Sequence, residues 1–361
     1  LGHRGTDGKA AGDAVLGKFE VESSKLHGRV CSARAGSPVK HRGMLDLAMG
    51  SVRFVIRGLL LLLGFLGAAG AVLAHGGRFS GHLDVLTHFA PLYLAAATVV
   101  LIGAAFTPMA RGKLTLALLG GVGAAASLAL ILPELMRPSE PHAPANAAGQ
   151  VKVIQFNVSR RDVRLDDRAR WLAAQDPDFL ILEESTPAMR ASVLRHLPRH
   201  MSCGKTCETV IFTRTAPEKT EQPRRGRYGL GPAIVIVHMA PQDGGYVLIG
   251  THYTWPTAVR THRENTARML QLIDPLPKAR MILTGDFNST PWSFARAKED
   301  ARNGLVRRTH AMASWPTTFG LPVLPIDHVY AGGGLRTVSV KRGPNLGSDH
   351  YPIVAVLAPV S

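Results

Sequence analysis

Residues 281–292 read MILTGDFNSTPW, and the way this stretch stops decides how the chain is read. An apolar run fit for a buried strand ends in Gly285, then Asp286, with Asn288 two places on. One such end needs no special account, because Asp and Asn close strands by bonding nearby backbone. The pattern repeats, however. VKVIQF ends in Asn157, FLILEE in Glu183 and Glu184, and YVLIGT in His252. Asp327 and His328 begin or interrupt PIDHVY, and GSDH sets Ser348, Asp349 and His350 just before the last apolar run. Six ends thus carry carboxylates, carboxamides and histidines but no lysine. In α/β domains, strand ends along one edge are a common place for ligands and catalysis.

Outward from that stretch, residues 151–361 alternate short β-rich runs with helical ones. VKVIQFN, PDFLILEE, TVIFTR, AIVIVHM, YVLIGTH, RMILTGDFN, PIDHVY, RTVSVK and PIVAVL read as strands. Residues 166–174 and 258–273 read as helices, and TPWSFARAKED as a third, with Thr290 as N-cap and Pro291 at its first position. This order implies one α/β domain over 151–361, with sheets covered by helices.

The first half differs. Gly58–Ala74, Val85–Thr107 and Leu114–Leu132 are apolar and uncharged, each near the ~20 residues that cross a bilayer as a helix. Three in succession with short polar links predict a membrane module over 44–137. Lys40, Arg42, Arg53 and Arg57 precede the first run, and Arg111 and Lys113 separate the second from the third. The first link has only Arg78. The positive-inside rule then puts the N-terminus in the cytoplasm and the domain outside it, as in a multi-pass inner-membrane protein with a periplasmic C-terminal domain. Cleavage of the first run as a signal peptide near Ala74 is the alternative and leaves the domain on the same side. Residues 1–43 read as a basic, disordered leader ahead of the first Met, Met44, and 138–150 as a Pro/Ala linker.

Lys and Arg number 42 against 26 Asp and Glu, and residues 150–361 alone hold 28 against 18. That balance suits nucleic acid, anionic lipid or a phosphorylated metabolite. Cys203 and Cys207 stand as two thiols or, in an oxidising compartment, as a short-loop disulfide. Carboxylate and carboxamide oxygens suit a hard cation such as Mg²⁺. A Gly-rich phosphate loop and a G-x-S-x-G elbow are both missing, which argues against a nucleotide-driven motor and an α/β-hydrolase.

FNV, PDFLILEE, GTH, GDFNSTPWS, PIDHVY and GSDHYPIV, in this order, resemble the endonuclease/exonuclease/phosphatase superfamily, whose fold is that of deoxyribonuclease I. TWP at 254–256, GDFNSTPWS and SWPT look closest to bacterial members fused to N-terminal membrane helices. The resemblance implies a four-layer α/β sandwich, two packed sheets flanked by helices, here preceded by three transmembrane helices. It implies that Asn157 helps hold metal and phosphate, that Glu184 binds the metal, and that Asp349 sits beside it. His252 would contact the scissile phosphate, Asp286 would orient or deprotonate water, and Asn288 would bind a phosphate oxygen. Asp327 would hold the imidazole of His350, the acid/base or transition-state-stabilising histidine. Mg²⁺ is the implied cofactor, with Mn²⁺ as the alternative. Two departures stand out: Ser159 replaces an Asp of some members, which argues against a DNA-repair type, and Glu183 takes the place usual for Gln. Arg160, Arg161 and Arg164, and Arg224, Arg225 and Arg227, read as solvated loop basics.

The expectation is therefore a membrane-anchored, metal-dependent phosphohydrolase cleaving a phosphodiester of nucleic acid or a lipid head group. The alternative is a non-catalytic membrane protein that uses the fold to bind phosphorylated ligands. The sequence leaves the substrate, the choice between diester and monoester, and the oligomeric state open.

Overall fold

In both sheets of the domain a parallel pair of strands lies at the centre, so that two strand C-termini come out side by side at one edge. This computed structural model describes residues 39–204, 206–223 and 232–360. The leader and the Arg224, Arg225 and Arg227 cluster therefore lie outside the described residues, apart from the helical start at 39–43. The chain divides into two compact units, Leu1–Phe54 and Val55–Ser361. In the first, the described residues are helical.

The helices α1 (Val39–Ala74), α3 (Ala90–Ala105) and α4 (Ala110–Leu135) come first, with a short α2 (Gly81–Asp84) in the link before α3. Three segments, Met49–Arg78, Gly81–Ala105 and Ala110–Leu135, are long and apolar enough to cross a membrane. Their outward side chains are largely apolar, as with Leu62, Phe65, Ile102 and Leu118. Small residues let α4 approach its neighbours, with Gly123 set against Ala68 and Ala97.

The domain then follows as β1 (Val151–Asn157), α5 (Leu165–Gln175), β2 (Phe179–Glu183), α6 (Pro187–His196), β3 (His200–Cys203), β4 (Thr209–Thr213), β5 (Lys219–Glu221), β6 (Ala233–His238), β7 (Val247–His252), α7 (Val259–Ile273), β8 (Met281–Asp286), α8 (Phe294–Asp300), β9 (Val306–Arg307), β10 (Asp327–Ala331), β11 (Leu335–Arg342) and β12 (Ile353–Pro359). One sheet has the order β11-β12-β1-β2-β4-β3 and the other β5-β6-β7-β8-β10-β9. The parallel pairs are β1/β2 and β7/β8. Side chains alternate along each strand. Val153, Ile181, Leu248, Ile282, Val329 and Ala355 meet between the sheets. Ile154, Phe156, Leu180 and Leu182 face α5 and α6 on one outer side, while Ile249, Met281 and Leu283 meet Met269 and Ile273 of α7 on the other. The result is the four-layer sandwich expected from the sequence, with three long apolar helices ahead of it.

Two local expectations change. The helix read from Thr290 begins at Phe294, and its N-cap is Ser293, whose hydroxyl accepts from Arg296 N–H at 3.0 Å. Thr290 is spent elsewhere: its N–H donates to His88 Nδ1 at 3.2 Å and its hydroxyl lies 2.9 Å from the same nitrogen. The stretch read as a linker lies on the domain, with Arg308 bonded to Glu140 at 2.8 Å and Ala143 N–H donating to Thr337 O at 2.8 Å. Cys203 and Cys207 are joined as a disulfide.

Several contacts tie the apolar helices to the domain. Asp84 accepts from the N–H groups of Phe294 (2.8 Å) and Ala295 (3.0 Å), capping α8 from outside. Trp292 donates its indole N–H to Thr87 O at 2.9 Å and packs with Ala74, Ala90, Leu130 and Ile131. Arg307 forks onto both oxygens of Glu134 at 2.8 Å. Gly77 permits this approach, since a Cβ there would come within 2.7 Å of Asp84 Cα and 2.9 Å of the Phe294 ring.

Candidate active site

The site is the polar end of the inter-sheet core. On β1 the inward stripe runs Val151, Val153, Gln155, Asn157; on β2 it runs Phe179, Ile181, Glu183; on β8 it runs Ile282, Thr284, Asp286. The same alternation that builds the core therefore delivers polar groups once the apolar residues end. Register sets them abreast, with Asn157 opposite Glu183, His252 opposite Asp286, and Asp286 opposite Asp327. His328, the next residue on β10, points to the other side. There it bonds Ser289 O at 2.9 Å and packs on Phe287 and Tyr330, and burial lowers its pKa to about 3. It is a neutral structural histidine.

Three backbone features aim the side chains. Gly285 has φ +156°, and a Cβ on it would sit 1.8 Å from Thr251 O, so β7 and β8 can close here only on glycine. Glu184 and Asn288 occupy the left-handed region at φ +53° and +48°, a conformation that costs energy outside glycine and is common at ligand sites. Asp286 Oδ1 accepts the Asn288 N–H at 2.8 Å, while the Asn288 carboxamide donates to Tyr253 O at 2.8 Å.

Asp286 Oδ2 is the meeting point. Asn157 Nδ2 donates to it at 3.1 Å, and His252 Nε2 and His350 Nε2 lie 3.7 and 3.6 Å away. His350 Nδ1 is 2.8 Å from Asp327 Oδ2, and Ser348 Oγ fixes the His350 N–H at 3.1 Å. Burial works against the charged form of His350, but the carboxylates of Asp327 and Asp286 outweigh it and raise its pKa to about 10. Asp286 is raised to about 6, first by burial and then by the charge of Asp327, with the two histidines opposing. His252 is also raised: burial lowers it, and the contact with Glu208 and the charges of Asp286 and Glu184 more than compensate.

The structure thus brings together Asn157, His252, Asp286, Asn288, Asp327 and His350, with Glu184 at the open side. Glu184 is 28% exposed, and its contacts among the described residues are long: Asn157 Nδ2 and Arg160 N–H at 3.4 Å, His252 at 3.7 Å and Arg160 Nε at 4.0 Å. Asp349 faces elsewhere, accepting from Trp315 Nε1 at 3.3 Å and from Ser348 Oγ at 3.4 Å. Among the described residues no hydrogen bond or ion pair joins Asp349 to Glu184. The Asn157 carboxamide oxygen accepts the Ser159 N–H at 2.9 Å, leaving its NH₂ for the two carboxylates.

Four participants escaped the sequence reading. Gln155 Nε2 donates to Glu183 Oε2 (3.0 Å) and Asp327 Oδ1 (2.7 Å), bridging the sheets behind the histidine. Glu183, given no role, is fully buried there, and its pKa is pushed well up by burial and by the charges of Asp327 and Asp286. Glu208, the residue before β4, takes an ion pair from Arg160 at 3.0 Å and faces His252 Nδ1 at 3.6 Å. Trp315 stacks edge-on to Trp255, which is 53% exposed at the rim. Strand-end position alone marks Glu208, since it precedes TVIFT as Asp327 opens its own strand.

Asp286, Asp327 and His350 present ligand atoms within 4.8 Å of one another. A cation inside that trio would compete with the 2.8 Å Asp327–His350 bond. Glu184 fits better, as a loosely held carboxylate beside the buried, mutually repelling acids Asp286 and Glu183. A divalent cation would relieve that repulsion, and the all-oxygen carboxylate donors suit a hard one.

Residues 146–350 match the endonuclease/exonuclease/phosphatase family. The chain belongs to that family. Among solved structures, an endonuclease/exonuclease/phosphatase from Bacteroides vulgatus is similar at 16% identity and a TM-score of 0.51, covering 58% of this chain and 99% of that one. A humanised D. rerio TDP2 (18%, TM-score 0.47, 58% and 98%) and sphingomyelinase C from Streptomyces griseocarneus (16%, 0.45, 58% and 100%) are also similar. No curated protein matches. Members of the endonuclease/exonuclease/phosphatase family are divalent-metal-dependent hydrolases of phosphoesters, and the buried acid–histidine group described above has the chemistry such a reaction uses.

Proposed function

We propose that the chain is a membrane-anchored, metal-dependent phosphohydrolase whose catalytic residues are Asp286, His350, His252 and Asp327, with Asn288 and Asn157 binding substrate. The observation that carries this reading is the convergence on Asp286 Oδ2 of Asn157, His252 and the His350–Asp327 pair. Asp286 takes the proton of a water aligned with the phosphorus, a task suited to a carboxylate raised to about 6. His350, kept cationic at neutral pH by Asp327, stabilises charge on the non-bridging oxygens. His252 and Asn288 orient the phosphate from β7 and the β8 loop. Glu184 would hold the cation, Mg²⁺ or Mn²⁺, with the second lone pair of the Asn157 carboxamide oxygen open to it and Asp349 joining by turning away from Trp315; when bound the cation would neutralise phosphate charge.

Three segments suited to crossing a membrane support anchoring. The first link and the end of α4 both contact the domain, which favours one side of the bilayer for all three; the basic flanks favour the extracytoplasmic side. Anchoring and the basic balance favour nucleic acid or phospholipid head groups as substrate. The domain limits are 44–137 for the membrane module and 151–361 for the catalytic domain. The test uses the full chain in detergent, assayed on DNA, RNA, phospholipid and sugar-phosphate esters. Divalent-dependent hydrolysis that drops at least ~10²-fold in Asp286→Ala and in His350→Ala is expected. Undiminished activity in both variants would sink the mechanism, and inactivity across the panel would favour a binding module.

A further inference from the structure

Between the link that joins the first two apolar helices and the outer face of α7 and α8 lies a cavity of about 430 Å³. None of the candidate catalytic residues lines it. Arg78, Arg263, Lys298 and Arg302 converge on it, and all four are exposed. Among the described residues, none of the four forms an ion pair with a carboxylate. Elsewhere on the surface arginines are matched to acids, as in Arg160–Glu208, Arg170–Asp167, Arg195–Asp166 and Arg214–Asp178. Asp84, the acid in the cavity wall, gives both oxygens to the N–H groups that start α8. Arg78 Nε donates to His75 O at 3.2 Å, and Lys298 Nζ reaches Arg78 O at 3.5 Å and feels the charge of Asp84, so four positive charges border one hollow with no ion-paired carboxylate among the described residues.

The rest of the wall is mainly apolar, with Ser80, His88, His262, Thr266 and Ser293 as its polar members. Phe79, 89% exposed, and Val85 come from the link, Val259 and Leu270 from α7. The link runs directly into α1 and α3, whose outward faces are apolar, so the cavity opens at the level where these helices meet the domain. A hollow of this size falls in the range of small-molecule sites, ~300–1,000 Å³. Basic clusters at the ends of membrane helices attract anionic lipid at about 1 kcal/mol per charge.

We propose that this cavity binds the head group of an anionic phospholipid from the leaflet facing the domain, its phosphate among the four cations and its glycerol and first acyl carbons against Phe79, Val85 and Val259. A zwitterionic lipid would bring its own ammonium against those cations and is the poorer fit. This inference rests on the membrane reading above but not on the catalytic one.

The full chain is reconstituted in nanodiscs of phosphatidylcholine with or without phosphatidylglycerol, and lipid carried through ejection into native mass spectrometry is counted. Wild type should retain a phosphatidylglycerol in preference to phosphatidylcholine. The Arg263→Gln/Lys298→Gln/Arg302→Gln variant should lose that preference by at least about tenfold, and Arg263→Gln alone by several-fold. Asp286→Ala and the distant Arg170→Gln should retain lipid as wild type does. Equal retention of both lipids, or no loss in the triple variant, overturns the site. Inorganic phosphate that displaces phosphatidylglycerol at comparable concentration reassigns the cavity to a soluble anion and overturns the lipid assignment. A chain that never enters the nanodisc overturns the membrane reading itself, whereas insertion without selective lipid overturns this site alone.

Discussion

Glu183 shows how much one side chain can hide. It sits fully buried near two other acids, with one oxygen taken by Gln155, while its Oε1 and the Gln155 carbonyl oxygen have no partner among the described residues. Glu183→Gln keeps the shape, removes a buried acid and leaves one oxygen to accept from Gln155. It should stabilise the fold by about 1 kcal/mol and leave activity within about threefold. The sign with pH follows from linkage. The folded-state pKa is raised above the unfolded value, so the folded chain holds the extra proton, and wild-type stability falls as pH rises above the unfolded value of 4.5. The melting temperature of Glu183→Gln should therefore exceed wild type by more at pH 8 than at pH 5. Asp327→Asn tests the histidine instead. Removing that charge lets the His350 pKa fall from about 10, so the alkaline limb of the pH–rate profile should move down while turnover drops roughly 10²–10⁴-fold. At this scale, residue types and strand ends made Asn157, Glu184, His252, Asp286, Asn288, Asp327 and His350 legible. Gln155 was not, because nothing in VKVIQFN says which face meets the other sheet, and Glu208 is marked only by its place just before TVIFT.

At the scale of elements, long periodic or apolar runs were legible and junctions were not. α7 was placed within a residue at its start, since its buried stripe of His262, Asn265, Met269 and Ile273 repeats at helical spacing. The start of α8 differs from the expectation because Thr290 and Pro291 imitate a helix start three residues ahead of the true N-cap, Ser293, while Thr290 itself is bonded to His88 and Asp84, 210 residues before Phe294, takes the first N–H groups. β3, β5 and β9 are two to four residues long and partly exposed, too short for a periodic signal. Asp84→Ala should uncap α8 and lower stability by about 1–2 kcal/mol, with Asp84→Asn losing less, as read from thermal melts in detergent. Arg307→Leu should also destabilise, by less than the roughly 3–5 kcal/mol of a fully orphaned buried charge, because Glu134 keeps Arg137 and Asp300 keeps Arg296. Equal melting of wild type and both variants would mean that the helices and the domain are not joined as described.

For the whole molecule, the alternation of strands and helices foretold the layers, but strand order rests on contacts between distant segments. The pairing of β1 with β12, at opposite ends of the domain, is such a contact. The joined helices and domain make a further prediction. Ten flexible residues inserted between Asn146 and Ala147 should leave melting and turnover nearly unchanged, because Asp84, Trp292 and the Glu134–Arg307 pair hold the domain without that segment. A large fall in either would show the segment to be the true attachment. Gly77 carries the wider consequence. By letting the first link lie against Phe294, it removes the swivel that a tethered domain would otherwise have. A fluorophore on the domain should then lose its anisotropy at the slow tumbling rate of the entire nanodisc, and Gly77→Leu should add a fast component. On the anchoring proposed above, an enzyme without a swivel would work at one fixed standoff from the lipid surface, so the height at which a phosphoester is presented would become part of what it selects.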